Sequence, residues 1–206
     1  MARQTTVFIV DDDDAVRGSL RLLLKSAGLP AVAHASAQEF LDQWHPEQPG
    51  CLILDVRMPG MSGLELQSEL NRRGAIIPVI FISGHGDIPM AVEAIQRGAF
   101  DFLPKPFGDK DLIDRVQRAL AADAENRKTR IEKETLRSRY DSLTPREQEV
   151  LTLVTQGKAN KVMAGDLGVS QRTVEIHRAR VMEKMGAHSL AQLVRMTIDL
   201  EINREI

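Results

Sequence analysis

Five side chains far apart in the chain bring complementary chemistry to equivalent places. Asp11 and Asp12 follow the apolar run "TVFIV", Asp55 closes "CLILD", Ser83 closes "PVIFIS", and Lys105 follows "FDFLP". If these runs are parallel strands of one sheet, their carboxyl ends share a rim, and ligands of such sheets bind there. Three carboxylates gathered on that rim cannot all stay ionised unless a cation neutralises them. An all-oxygen site with few protein ligands and open positions suits Mg²⁺, or Mn²⁺ in its place. A divalent ion beside a carboxylate, an ammonium and a hydroxyl makes a phosphoryl-transfer site. Asp55, on the central strand, is the expected nucleophile and would form an acyl phosphate. Asp11, Asp12, Asp55 and the backbone carbonyl of Arg57 are the expected metal ligands. Lys105 would pair with Asp55 before transfer and with phosphate oxygens after it, and Ser83 would hydrogen-bond a phosphate oxygen. Asp13 and Asp14 need no such role, because carboxylates are favourable at a helix N-terminus.

The elements that must position these groups follow from the hydrophobic pattern. Strands are expected at 6–10, 31–34, 51–55, 78–83 and 100–104, and each is followed by an amphipathic segment. Val16, Leu20, Leu23, Leu24 and Ala27 mark the first helix, which Gly28 ends. Ser36 with Glu39, and Ser62 with Glu65, are capping boxes that open the second and third helices. Asp87 is the expected cap of the fourth helix, with Pro89 in its first turn, and His85 is read as a solvent-facing loop residue. Apolar strands without alternation mean that both sheet faces are covered. The result is a doubly wound α/β domain with a five-stranded parallel sheet in flavodoxin-like order 2-1-3-4-5, over residues 1–122.

Residues 109–137 read as one long helix whose apolar seam, Ile113, Val116 and Leu120, thins beyond Ala122. Residues 123–142 are accordingly a charged helical linker. From 143 to 206 the pattern is all-α, with four helices. Thr144, Pro145 and Glu147 open the first of them, and Gly157 stops it. A short helix ended by Gly168, the turn "GVS" and a longer helix capped by Ser170 make a helix-turn-helix. On the longer helix Val174, Val181, Met185 and Ile176 are expected in the core, while Arg172, Thr173, His177, Arg178, Arg180 and Lys184 lie mostly off that stripe. A helix with a cationic face suits the DNA major groove, and Lys158, Asn160 and Lys161 on the preceding helix could clamp the phosphate backbone.

Bulk properties agree with such a two-module chain. The 206 residues are 43% hydrophobic and 27% charged, with a net charge of −2. Residues 1–122 carry about four excess negative charges and residues 137–206 about two excess positive ones. The single Cys51 excludes an intrachain disulfide and reads as a buried thiol. No apolar run approaches the ~20 residues of a membrane span, and no signal-peptide core is evident, so a cytoplasmic location is expected.

The motifs "VDDD", "LDVRMPGMSG", "SGHGD" and "FLPKPF" resemble the receiver domain of two-component response regulators. Residues 143–200, with "LTPREQEVLTLVTQGKANKVMAGDLGVSQRTVEIHRARVMEKMGAHS", resemble the DNA-binding domain of LuxR/NarL-type regulators, and the receiver motifs point to the FixJ-like branch. The resemblance implies phosphorylation of Asp55 by a sensor histidine kinase with Mg²⁺ required, and a cis peptide before Pro106. It also implies that the face formed by Val92, Ile95, Ala99, Phe102 and Pro106 dimerises on phosphorylation, to place two output domains on promoter DNA; RNA polymerase is a further partner. Ser83 stands where Thr is commoner, Phe102 lacks the hydroxyl of the usual aromatic, and Val162 replaces a usual polar residue. On this reading the chain is not an enzyme beyond slow self-catalysed phosphotransfer. Two competitors stay open. An aspartyl-phosphate phosphatase or phosphotransferase often carries a second Asp two residues after the nucleophile, where this chain has Arg57. An autoinducer-binding regulator would need an apolar pocket instead of converging carboxylates.

Overall fold

Each apolar run closes into a strand because the sheet buries it from both sides. The computed structural model of the chain describes residues 4–84 and 88–200, so that His85 and Asp87 lie outside the described residues. The strands are β1 (Thr6–Val10), β2 (Ala31–His34), β3 (Gly50–Asp55), β4 (Val79–Ser83) and β5 (Asp101–Pro104). All pair in parallel, in the order β2-β1-β3-β4-β5, as expected. Five helices follow them: α1 (Asp14–Ser26), α2 (Ala37–Gln43), α3 (Gly63–Arg72), α4 (Ile88–Gln96) and α5 (Asp109–Asp141). Val7, Ile9, Ile53, Ile80 and Ile82 pack on α1 and α5 through Leu20, Leu24, Leu112 and Val116. Phe8, Val10, Leu52, Leu54 and Phe81 face the other way, onto α2, α3 and α4 through Phe40, Leu66, Leu70 and Ala94.

The helix starts are built largely as the sequence implies. Asp13 caps α1, its carboxylate accepting from the amides of Ala15 and Val16. Ser62 and Glu65 form a full capping box at α3. At α2 only half of the expected box forms. Ser36 accepts from the Glu39 amide, but the Glu39 carboxylate reaches one residue further back, to the Ala35 amide.

The first unit of the chain runs Met1–Arg127 and the second Lys128–Ile206. The first is longer than its apolar seam suggests, and a buried charge explains why. Asp123 on α5 is 1% exposed. Its carboxylate accepts from the Gly50 amide (2.9 Å) and from Arg127 Nε (2.8 and 2.9 Å). Arg127 in turn donates to the carbonyls of Pro46 (3.0 Å) and Gln48 (2.8 Å). The clamp fixes the chain entering β3. There Gly50 passes so close to β1 that a Cβ would stand 1.9 Å from the Thr6 carbonyl oxygen.

The second unit holds α6 (Pro145–Thr155), α7 (Asn160–Leu167), α8 (Gln171–Met185) and α9 (Leu190–Asp199). Thr144 and Glu147 form the capping box at α6, Ser170 caps α8 and Ser189 caps α9. Gly168, with φ 65°, makes the left-handed turn that ends α7. Leu151, Val154, Met163, Val174, Val181, Met185 and Leu193 form the core. No helix among the described residues is long and apolar enough to cross a membrane.

Arg127→Ala would leave Asp123 buried with a single backbone donor. Removing one partner of such a pair costs about 3 kcal/mol. Urea unfolding should show a loss of that order, while Arg130→Ala, from an exposed pair with Glu134, should stay within about 0.5 kcal/mol.

Candidate functional site

Parallel pairing brings β1 and β3 to one rim, and the rim closes around a single ammonium. Lys105 Nζ donates to Asp11 Oδ2 and to Asp55 Oδ1, each at 3.0 Å. The remaining oxygens accept from backbone: Asp11 Oδ1 from the Asp13 amide (2.8 Å), Asp55 Oδ2 from the Arg57 amide (2.7 Å). Ser83 lies beside them, 2% exposed, and its carbonyl accepts from the Lys105 amide at 2.7 Å. The Lys105–Pro106 peptide is cis. Residues 11, 55, 83 and 105 thus meet although up to 94 positions separate them.

The electrostatics are uneven. Burial pushes the Asp11 carboxyl above its ordinary range, outweighing the Asp13 amide and Lys105, which pull it down. Burial also disfavours the Lys105 ammonium, but the hydrogen bonds and charges of Asp55 and Asp11 together win and raise its pKa. Two carboxylates face one cation, so the site carries excess negative charge. An all-oxygen donor set of this kind fits a hard divalent ion.

Asp12 is exposed and makes no side-chain hydrogen bond or ion pair among the described residues. Among those residues no three acidic, His or Cys side chains stand close enough to hold a metal ion. Arg57 meets Asp55 through its amide.

Two further residues of the site have no role in the sequence reading. Arg17 Nη1 donates to the Asp11 carbonyl (2.7 Å) and Nη2 to Asp14 (3.0 Å), bracing the β1–α1 turn. Gly63 begins α3 so close to β3 that a Cβ would lie 2.2 Å from the Asp55 carbonyl oxygen. The Asp14–Arg17 spacing is a visible signal; the Gly63 approach needs the fold.

The α4 side of the rim is apolar and outward. Only Ala94 of α4 is fully buried, whereas Ile88, Val92 and Ile95 are exposed at helical spacing. The C-terminal end of α4 is held to α3 by Gln67 Nε2 on the Ala94 carbonyl (3.3 Å), Asn71 Nδ2 on the Arg97 carbonyl (2.8 Å) and Arg97 on Ser68 Oγ (3.1 Å). Phe102 is half-buried against Phe81, and Pro106 is exposed.

In the second unit the expected DNA contacts divide. Arg172, Lys161 and Arg180 are exposed, and their side chains have no partner among the described residues. Thr173 lies against the Ser170 hydroxyl (2.7 Å), and Arg178 donates to Asn160 Oδ1 (3.1 Å), tying α8 to α7. His177 is half-buried with a buried Nδ1, and Lys158 pairs with Asp166. Lys184 is committed inward: it donates to the buried Glu147 (2.7 Å) and to the Ser142 carbonyl (3.1 Å). Glu147 closes the α6 capping box, so its charge is fixed there and demands a cation. Ile176, expected in the core, is 47% exposed.

A phosphoryl-type rim on a five-stranded parallel sheet, followed by a helix-turn-helix, defines a signal-receiving domain joined to a DNA-binding output. Comparison with known proteins gives the same two parts. Residues 7–117 match the response regulator receiver domain, and residues 141–197 match the bacterial regulatory proteins of the luxR family. The chain is 50% identical to the transcriptional regulatory protein FixJ of Azorhizobium caulinodans, over 96% of this chain and 94% of that one. It is 49% identical to nodulation protein W of Bradyrhizobium diazoefficiens, over 96% and 87%. Among solved structures, response regulator StyR is 48% identical with a TM-score of 0.86, over 95% and 98%. Full-length FixJ from B. japonicum is 38% identical with a TM-score of 0.58, over 97% and 98%. The chain belongs to the FixJ-like response regulators: transcriptional regulators with a receiver domain and a LuxR-type helix-turn-helix output.

The buried carboxylates make stability depend on pH in two opposite ways. Asp11→Asn removes a charge that burial disfavours, so without divalent ions at pH 7 it should raise stability by about 1 kcal/mol. A raised folded pKa costs stability above it, so this advantage should fade as pH falls through that pKa and vanish below about 3.8; urea melts against pH read it. Glu147 behaves oppositely. Its hydrogen bond from Lys184, then the Thr144 amide, holds its carboxyl below the ordinary value. Its contribution is complete above about 4.5 and is lost as pH falls through the lowered pKa. Lys184→Met should therefore lower the melting temperature of the second unit at neutral pH and flatten its acid dependence.

Proposed function

We propose that Asp55 is the phosphoacceptor of this regulator, charged by a cognate sensor histidine kinase in the cytoplasm. The observation that carries the reading is the Lys105 ammonium held at 3.0 Å from both Asp55 and Asp11. Asp55 is the carboxylate on the central strand, and Lys105 both orients it and offers a positive charge to an incoming phosphoryl group. Asp11 and Asp55, with Asp12 and the Arg57 carbonyl, would hold Mg²⁺ or Mn²⁺, which supplies charge neutralisation and Lewis acidity at the transferring group. Ser83 would donate its hydroxyl to the phosphoryl oxygens. The added charge would draw Ser83 and Lys105 inward, and α4, which begins just after Ser83, would respond.

The exposed stripe Ile88, Val92 and Ile95 supports α4 as the surface that pairs two phosphorylated receivers, with Phe102 and Pro106 at its margin. Pairing presents two helix-turn-helix units to two half-sites of promoter DNA, and linkage raises their effective concentration. Domain limits of 1–122 and 143–206, with 123–142 as a helical linker, are kept as the functional division; Asp123 and Arg127 then belong to the linker segment that anchors on the receiver. Catalysis beyond self-directed phosphotransfer is not part of this function, and RNA polymerase is the remaining partner that a promoter-bound dimer would meet.

With acetyl phosphate and Mg²⁺, the wild-type protein should double its mass in light scattering and shift promoter fragments at lower concentration. Asp55→Asn should do neither. Dimers of unchanged affinity in that variant, with the phosphodonor present, would overturn the assignment.

A further inference from the structure

The exposed face of α8 is not the cationic surface that its composition suggests. Arg178 and Lys184 are spent inside the domain, on Asn160 and Glu147. The core stripe runs through Val174, Val181 and Met185. At 100° per residue the opposite face holds Arg172, Glu175, Ile176, Ala179, Arg180 and Glu183, and all six are exposed. None of these side chains has a hydrogen bond or ion pair among the described residues. This face therefore carries two guanidinium groups, two carboxylates, one branched alkyl group and one methyl.

Glu175 has no partner among the described residues, and Ile176 is 47% exposed, so both are free to meet a ligand. Glu175 has no internal cation to satisfy, although Arg172 and Arg178 sit within one turn of it. Against phosphates its charge would be repelled. A carboxylate gains in a DNA groove only where it accepts from a base amino group; of the two major-groove amino donors, adenine N6 lies beside the N7 acceptor, which repels a carboxylate oxygen, and this leaves cytosine N4 as the better partner. It simultaneously rejects guanine, whose major-groove edge presents acceptors alone. Ile176, 47% exposed, contributes nothing to the core. Its natural complement in that groove is the thymine C5-methyl, the only apolar group that the base edges present. Both residues lie in the second turn of α8, near the end of a recognition helix that meets base edges. Ala179, one turn on, carries nothing beyond Cβ and leaves room for close approach.

We infer that Glu175 and Ile176 read the bases of each half-site, Glu175 by accepting from a cytosine N4 amino group and Ile176 by contact with a thymine methyl, while Arg172 and Arg180 flank them on phosphates. The inference rests on the DNA-binding reading above and adds the chemistry of its discrimination.

The test uses the full-length protein, treated with acetyl phosphate and Mg²⁺, and duplexes selected from a randomised pool. Each conserved thymine of the selected site is replaced in turn by deoxyuridine, which lacks only the methyl. One thymine per half-site should show about fivefold weaker binding by the wild-type protein. Ile176→Ala should weaken binding to the thymine duplex by a similar factor and become indifferent to the replacement. Selection repeated with Glu175→Gln should lose the cytosine preference at one position of the half-site. The contact is overturned if no deoxyuridine replacement weakens the wild-type protein, a result that needs no variant to fold. It is overturned equally if Glu175→Gln selects the same consensus. Failure of the pool to enrich any sequence would refute the DNA-binding reading itself, whereas enrichment unchanged by either variant refutes this inference alone.

Discussion

The receiver half is organised around one ammonium placed between two carboxylates. Lys105 can stand there only because β5 lies two strands from β3 and the Lys105 amide is tied to the Ser83 carbonyl. Asp11 and Asp55 can approach it only because β1 and β3 are adjacent and in register, Val10 opposite Leu54. Without the cation their proximity would be repulsive, and even with it burial outweighs the donors and keeps the Asp11 pKa raised. The sheet is thus a frame rigid enough to hold an electrostatic arrangement that side chains alone would not choose. Its wholly buried strands supply that rigidity, since Ile9, Ile53, Ile80 and Ile82 have no exposed surface at all.

Much of this frame was legible because its signals are local. Continuous apolar strands announce a two-faced sheet, and capping residues such as Ser62, Thr144, Ser170 and Ser189 announce helix starts, each by a mechanism confined to a few residues. The rim residues were legible for a related reason. A parallel sheet sends the end of every strand the same way, so Asp11, Asp55, Ser83 and Lys105, each at or just past a strand end, had to share one edge.

The illegible parts depend on partners brought in by the fold. Nothing near Asp123 in the sequence reveals that it will cap the Gly50 amide, 73 positions away, or that Arg127 will close the loop carrying Pro46 and Gln48. The same applies to Lys184. On a helical wheel it joins a basic face, but the buried Glu147 of α6 claims it. Ile176 shows the converse: its apolar type suggests the core, but its angle on α8 lies opposite Val174 and Val181 and leaves it exposed. Helical angle decides such cases when it conflicts with hydrophobicity, because only one stripe of a surface helix can be covered.

Lys105 and Lys184 make the same chemical pair with opposite outcomes, and the contrast separates a working site from a structural one. Both ammonium groups donate to a nearly buried carboxylate. Around Glu147 the donors suffice: the Lys184 ammonium, the Thr144 amide and the Thr144 side chain together outweigh burial, and the carboxyl pKa falls. Around Asp11 they do not, because Lys105 is shared with Asp55, and burial dominates. A lowered pKa marks a charge whose folded surroundings are complete. A raised one marks a charge whose burial its donors do not offset, because at this rim the single ammonium is divided between two carboxylates. The stability given up at Asp11 therefore comes from the same sharing of Lys105 that draws Asp55 to it.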